Sequence, residues 1–286
     1  MSLTHKLLDP KNDVAFKRIF GSEDNKDILI HFLNDMLVFK NKALITDITY
    51  LPTIQDPDIA SQKTSIVDVL CVDKDDNRYI VEMQVAKSSG FEKRAQYYAA
   101  KAYSSQAKVG SAYGHLKEVV FIAIADYVLF PDKKAIKSDH VILDRDTHEH
   151  DLKDFSFTFL ELPKFKKGEN DLQHLDDKIE KWCYFFKYAE DIDPGILQTI
   201  LDQHTIMEKA MKALIRYNWR EDDLLCYDEA EKRRNDYESS MIQKFEEGKL
   251  AEKFDIARNL MAMNLDEALI LQSTGLSQGE LDSLKR

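Results

Sequence analysis

Cysteine is scarce in this chain. Cys71, Cys183 and Cys226 are odd in number and far apart, with no CxxC pair and no Cys/His grouping of zinc spacing. That excludes a disulfide framework and a structural zinc site, and it favours a reducing compartment. No apolar run approaches the roughly 18 residues that a membrane span needs. The opening Met1-Ser2-Leu3-Thr4-His5-Lys6 lacks an apolar signal core, so the expectation is a soluble cytoplasmic protein without a membrane partner. No P-loop, dinucleotide fingerprint or serine-nucleophile motif occurs. Basic residues are also short, 40 Lys and Arg against 51 Asp and Glu, for a net charge of −11. This counts against a phosphate-rich partner, which normally draws on clustered cations.

The distribution of charge softens that objection. Residues 221–286 hold sixteen acids and nine bases and so carry seven of the eleven excess negative charges. Lys87, Lys93, Arg94, Lys101 and Lys108 lie in the less acidic remainder, with Lys164, Lys166 and Lys167 further on. They form either a local basic rim or a solvated helix face. With 286 residues, 44% of them hydrophobic, the chain can bury a substantial core in one or two domains.

Two β-type runs stand close together, Ser65 to Val72 and Arg78 to Val85, and each strands a carboxylate among apolar residues. Side chains alternate along a strand, so Asp68 shares a face with Ile66, Leu70 and Val72, and Glu82 shares one with Ile80 and Gln84. Asp73-Lys74-Asp75-Asp76-Asn77 between them are turn formers. If Val72 faces Arg78, then Asp68 falls opposite Glu82, where Cβ atoms are about 4.5–5.5 Å apart and like charges destabilise. Something positive should sit between them. A hard dication suits, since Mg2+ takes oxygen ligands and needs only one or two protein carboxylates. The alternatives are acids that face solvent, or one carboxyl kept protonated by its neighbour.

Around this hairpin the pattern is mixed. Asp13 to Phe20 and Asp24 to Leu37 read as helices, and Asp13 either complements the first helix's dipole or joins a metal site. Ile45 to Leu51 reads as a strand and 52–62 as a loop. A helix from Phe91 to about Lys108 carries Arg94, Tyr98 and Lys101 on one stripe and Ala95, Ala99, Ala102 and Gln106 on another. Tyr97 and Tyr98 read as amphipathic edges of the core. Val119 to Ala125 has the continuous apolar character of a central strand, with further strands at His140 to Leu143 and Phe155 to Leu162. The order helix, strand, hairpin, helix, strand predicts an α/β core in which a mixed β-sheet is flanked by helices.

Beyond Gly168 the pattern is helical to the end: 172–190, 196–218, then a long polar helix over 228–249 with Tyr237, Met241 and Phe245 at i+4 steps, suited to packing or a homodimer contact. Thr274-Gly275-Leu276-Ser277 supplies a helix stop and a new N-cap, giving a helix-turn-helix-like close. Its last helix carries Glu280 and Asp282, which favours a bundle edge or partner surface over DNA reading. His148-Glu149-His150-Asp151 is the one dense histidine group and reads as an exposed turn rather than a metal site.

Asp68 followed across a hairpin by Glu82-Met83-Gln84 resembles the active-site signature of the PD-(D/E)xK nuclease superfamily. Asn12-Asp13-Val14-Ala15-Phe16-Lys17-Arg18-Ile19-Phe20-Gly21, Arg94 with Tyr97-Tyr98, and Leu160-Glu161-Leu162-Pro163-Lys164-Phe165 extend the resemblance to the Rpn group of recombination-promoting nucleases and transposases. It covers about residues 8 to 168. It implies a restriction-endonuclease-like core in 1–168, with an all-helical region over 169–286 for packing, dimerisation or partner binding. It also implies a metal-dependent DNA endonuclease. Asp68, Glu82 and the Met83 backbone carbonyl would hold Mg2+ or Mn2+, Asp13 is a candidate further ligand, and Gln84 and Arg94 would orient water and phosphate. The departure is Gln84, where the superfamily usually has a lysine that stabilises developing charge. That neutral amide and the acidic balance keep a second function open: a weakly active or inactive nuclease fold that binds nucleic acid or protein.

Overall fold

The computed structural model describes residues 7–37, 43–55, 65–107, 110, 112–168, 177–191 and 205–284. They divide into two compact units, Met1–Tyr227 and Asp228–Arg286. The first is built on a six-stranded sheet. Its strands are β1 (Ile48–Tyr50), β4 (Val69–Asp73), β5 (Arg78–Gln84), β6 (Val119–Ala125), β7 (Lys137–Val141) and β8 (Phe155–Glu161), in the order β1-β4-β5-β6-β8-β7. A separate ribbon pairs β2 (Ile54–Gln55) with β3 (Ser65–Ile66). The sheet is mixed: β5, β6 and β8 run parallel, while β1, β4 and β7 pair antiparallel with their neighbours.

Parallel strands need a crossover, and the one from β5 to β6 is made by helix α3 (Phe91–Ser104). The small residues of its inner stripe, Ala95, Ala99 and Ala102, are fully buried against Ile80, Phe121 and Ala123. The opposite sheet face carries Val69, Cys71, Val81, Ile122 and Ile124. It is covered by α1 (Asp13–Phe20), α2 (Lys26–Met36), α4 (Lys178–Tyr188) and α5 (Thr205–Ala213). Phe16, Phe20, Phe32, Trp182 and Phe186 interlock there with ring centroids 4.8–6.4 Å apart. α4 and α5 therefore belong to the same compact unit as the sheet, although the sequence reading ended the α/β part at residue 168.

Helix α1 is set firmly at both ends. Asn12 caps its start by accepting from the Val14 N–H at 2.9 Å. Gly21 ends it where any Cβ would lie 2.8 Å from the Lys17 carbonyl oxygen. Four apolar side chains, Ala15, Phe16, Ile19 and Phe20, are completely buried, which leaves Asp13 and Lys17 facing outward.

The long helix α6 (Glu221–Ala262) begins in the first unit and continues through the second. In the second unit α7 (Glu267–Thr274) ends at Gly275, which is left-handed with φ +62° as a C-cap requires. Ser277 then opens α8 (Gln278–Ser283) with a reciprocal capping box to Glu280. Ala257, Ile270, Leu276 and Leu281 form the small core of this unit.

Candidate active site

The ladder between β4 and β5 carries the register expected from the turn, Val72 opposite Arg78, and runs to the Val69–Val81 pair. There it stops. Ser65 to Val72 is not one strand: Ser65–Ile66 belongs to the small ribbon, and Asp68 sits in a bend before β4. The physical reason is that a short acidic side chain competes for backbone donors. The Asp68 N–H donates to Glu82 Oε1 at 3.0 Å, and Asp68 Oδ2 accepts the Met83 N–H at 3.0 Å. This reciprocal clasp replaces the next rung of the ladder and brings the two carboxylates together.

Glu82 is 4% exposed. Burial, and after it the neighbouring Asp68 carboxylate, raises its pKa; the Asp68 N–H, Arg94 and Lys17 act in the opposite sense. The Asp68 pKa is also raised, first by burial and further by Asp13, against the Met83 N–H and Lys17. In a strand a residue's N–H and C=O point to the same edge, so the Met83 carbonyl faces the edge on which Asp68 lies.

Gln84 links the acids to α3. Its Nε2 donates to Glu82 Oε2 at 3.1 Å, and its Oε1 accepts from Arg94 Nη2 at 2.5 Å. The Arg94 guanidinium lies over the Phe91 ring at 5.0 Å, and its buried Nε has no hydrogen-bond partner among the described residues. Tyr98, one turn further on, shares its field with Arg94, Glu82 and Asp68; it borders this site rather than only the core. From the other helical layer, Lys17 Nζ lies 3.6 Å from Asp68 Oδ1. Lys17 has no role that sequence alone points to. Its signal was its place four residues after Asp13, on the same outward face of α1.

One buried and one half-buried carboxylate with a backbone carbonyl are the oxygen set that a hard divalent cation takes, and the raised affinity of both acids for protons expresses the same demand for positive charge. The donor chemistry fits such an ion. Among the described residues no three His, Cys, Asp or Glu side chains gather as a ligand set. Asp13 thus acts on Asp68 through its field without completing a cluster, and His148-Glu149-His150-Asp151 makes none. That segment directly follows a turn in which Asp144 accepts the Asp146 and Thr147 N–H groups.

The expected basic rim is thinner than the sequence suggested. Lys164 is held by Glu161 at 2.7 Å and by the Phe130 carbonyl, and Lys167 pairs with Glu180. Glu161 is itself buried and accepts the Leu129 and Phe130 N–H groups, so this segment braces the end of β8. Lys87 and Lys93 are exposed near α3, and Lys108 lies outside the described residues.

A mixed sheet between helical layers, with an acid pair where an antiparallel hairpin meets a parallel strand, defines a nuclease-type α/β core. The chain belongs to the PD-(D/E)XK nuclease family transposases, whose model matches residues 10–244. Residues 250–286 match the C-terminal HTH domain of the Rpn/YhgA-like nuclease family. The helix-turn-helix pattern noted in the sequence is therefore a domain in its own right rather than a bundle edge. Neither the curated proteins nor the solved structures contain a match to the chain. Among the described residues no helix is long and apolar enough to cross a membrane.

Proposed function

We propose that this protein is a metal-dependent DNA endonuclease that hydrolyses phosphodiester bonds at the Asp68–Glu82 pair. The observation that carries the reading is the reciprocal clasp, which holds the buried Glu82 and the half-buried Asp68 side by side, balanced among the described residues by Lys17 and the Gln84–Arg94 link. Asp68, Glu82 and the Met83 carbonyl would hold Mg2+ or Mn2+. An ion bound there would polarise a phosphate oxygen and lower the pKa of a water. The chain's own part is positioning. Gln84 fixes the Glu82 carboxylate from one side while the Asp68 N–H fixes it from the other. Arg94 keeps donors beyond the one given to Gln84 and is placed to receive a phosphate oxygen. In the net reaction, water oxygen joins phosphorus, one P–O ester bond breaks, and the departing oxygen takes a proton.

The test is incubation of the protein with supercoiled plasmid and Mg2+ beside Asp68→Ala and Glu82→Ala. Nicking by the parent, reduced at least about 100-fold in both variants, is the expected result. Equal behaviour of all three would instead support the second reading, a weakly active or inactive nuclease fold that binds nucleic acid or protein. What favours that reading is Gln84, a neutral amide with both ends occupied where a lysine is usual.

The remaining assignments follow the same reading. Catalysis is assigned to Asp68, Glu82, Gln84 and Arg94 within 1–168, α4 and α5 to packing on the sheet, and the helices beyond them to partner contact. Three cysteines without disulfides suit the cytoplasm. Tyr237, Met241 and Phe245 are exposed along α6 and are assigned to a second copy of the chain; sedimentation showing a monomer at every concentration would remove that assignment.

A further inference from the structure

We propose that Lys17, on helix α1, supplies the ammonium that position 84 lacks and neutralises an oxygen of the phosphodiester held at the acid pair. The inference rests on the nuclease reading and adds a residue to it.

A polyanion arriving from solvent meets the most exposed and least engaged cation first, and the other groups of the site are more tightly engaged than Lys17. Gln84 is neutral, and both ends of its amide are bonded within the protein. Arg94 is tied to Gln84 and lies against Phe91. Lys17 is different in three respects. Its Nζ stands 3.6 Å from Asp68 Oδ1, the oxygen that the Met83 N–H does not use, so it lies on the open side of that carboxylate. Its side chain is 47% exposed while that of Asp68 is 16% exposed, so the ammonium is the more solvent-facing partner of the half-buried acid, where a polyanion would arrive. At 3.6 Å the ammonium is held only loosely by Asp68, and an ammonium has donors to spare for a closer acceptor.

The fold fixes where Lys17 can reach. Its neighbours Phe16, Ile19 and Phe20 are fully buried, Asn12 caps the helix and Gly21 ends it. Its Cα therefore has little freedom while the four-carbon stem keeps its own. Asp13, one turn earlier, adds negative potential to the same corner. Lys17 and Arg94 thus flank the acid pair from helices that cover opposite faces of the sheet.

The test compares the parent with Lys17→Met and with the double variant Lys17→Met/Gln84→Lys, which returns an ammonium to the position of the amide. Three quantities are read. They are single-turnover cleavage of a short duplex with Mg2+, affinity for that duplex in Ca2+ across a salt series, and Mn2+ affinity by calorimetry. Lys17→Met is expected to slow cleavage by about 100-fold and to flatten the salt dependence of duplex binding by about one phosphate contact. Its Mn2+ affinity should equal or exceed the parent's, because a cation beside Asp68 has been removed. The double variant should regain most of the lost rate. Cleavage by Lys17→Met at the parental rate with an unchanged salt slope overturns the inference and leaves the nuclease reading intact. Loss of Mn2+ affinity also overturns it, since Lys17 would then be shaping the ion site. A parent that cleaves no duplex overturns the nuclease reading and this inference with it.

Discussion

Gln84 donates to a carboxylate with one end of its amide and accepts from a guanidinium with the other, and no other uncharged side chain of that length does both. The consequence is that Glu82 is oriented without being neutralised. Its pKa stays above the usual carboxylate range because burial outweighs the help from Arg94 and Lys17. The sign of the effect on stability follows. Below the unfolded-state value, about 4.3, Glu82 is protonated in both states and costs nothing. As pH rises, the unfolded chain ionises first, so the metal-free protein loses stability until the folded group ionises as well. Glu82→Gln removes this loss. The stability of Glu82→Gln relative to the parent should therefore rise between pH 4.5 and pH 8 by at least about 1 kcal/mol, read from urea unfolding without divalent ions. A difference that stays constant with pH would show that Glu82 is ionised in the fold at no cost. Ca2+ should stabilise the parent and not the variant, since it binds only the folded site.

At the scale of elements, periodicity and turn chemistry were legible and long-range substitution of backbone by side chain was not. Helix α1, strand β6 and the Gly275 and Ser277 caps occur where spacing and capping placed them. The hairpin register was legible because five turn formers fix which residues face each other. The break at Asp68 was not, because continuation of a strand depends on whether a side chain elsewhere offers a better acceptor, and Glu82 does. Lys17 was missed for the same reason: an ion pair over fifty residues apart in sequence has no periodicity. The inner stripe of α3 was read correctly and has a measurable role. Ala95, Ala99 and Ala102 let the helix approach Ile80 and Phe121, which sets the height at which Arg94 meets Gln84. Ala99→Leu must push the helix outward, and overpacking of this kind costs about 1–3 kcal/mol. The urea midpoint should fall with an unchanged slope, and nicking should fall further than in a variant equally destabilised elsewhere in the core, such as Ile28→Val. Equal activity in the two would detach Arg94 from the reaction.

At the scale of the whole molecule the difficulty is charge. A chain at −11 repels DNA at long range, and release of counterions from phosphates needs cations, of which Lys164 and Lys167 are engaged in internal pairs with Glu161 and Glu180. The helix-turn-helix domain does not resolve this, because Glu280 is committed to its capping box and Asp282 accepts from Gln278 on the same helix. On the proposed nuclease reading, a divalent ion at the acid pair would change the balance. Asp13, Asp68 and Glu82, set against Lys17 and Arg94, leave the corner negative when the acids are ionised, and two added charges would turn it positive where the proposed reaction puts a phosphate. DNA binding is therefore expected to depend on the ion itself. A short duplex followed by fluorescence anisotropy at pH 8 should bind at least about tenfold more tightly in Ca2+ than in EDTA, the scale of a modest coupling energy between two ligands. Asp68→Ala should lose that difference while keeping the weak affinity seen in EDTA. Equal affinity in the two buffers would mean that the duplex docks elsewhere on the chain, and the acid pair would then need another explanation for its burial.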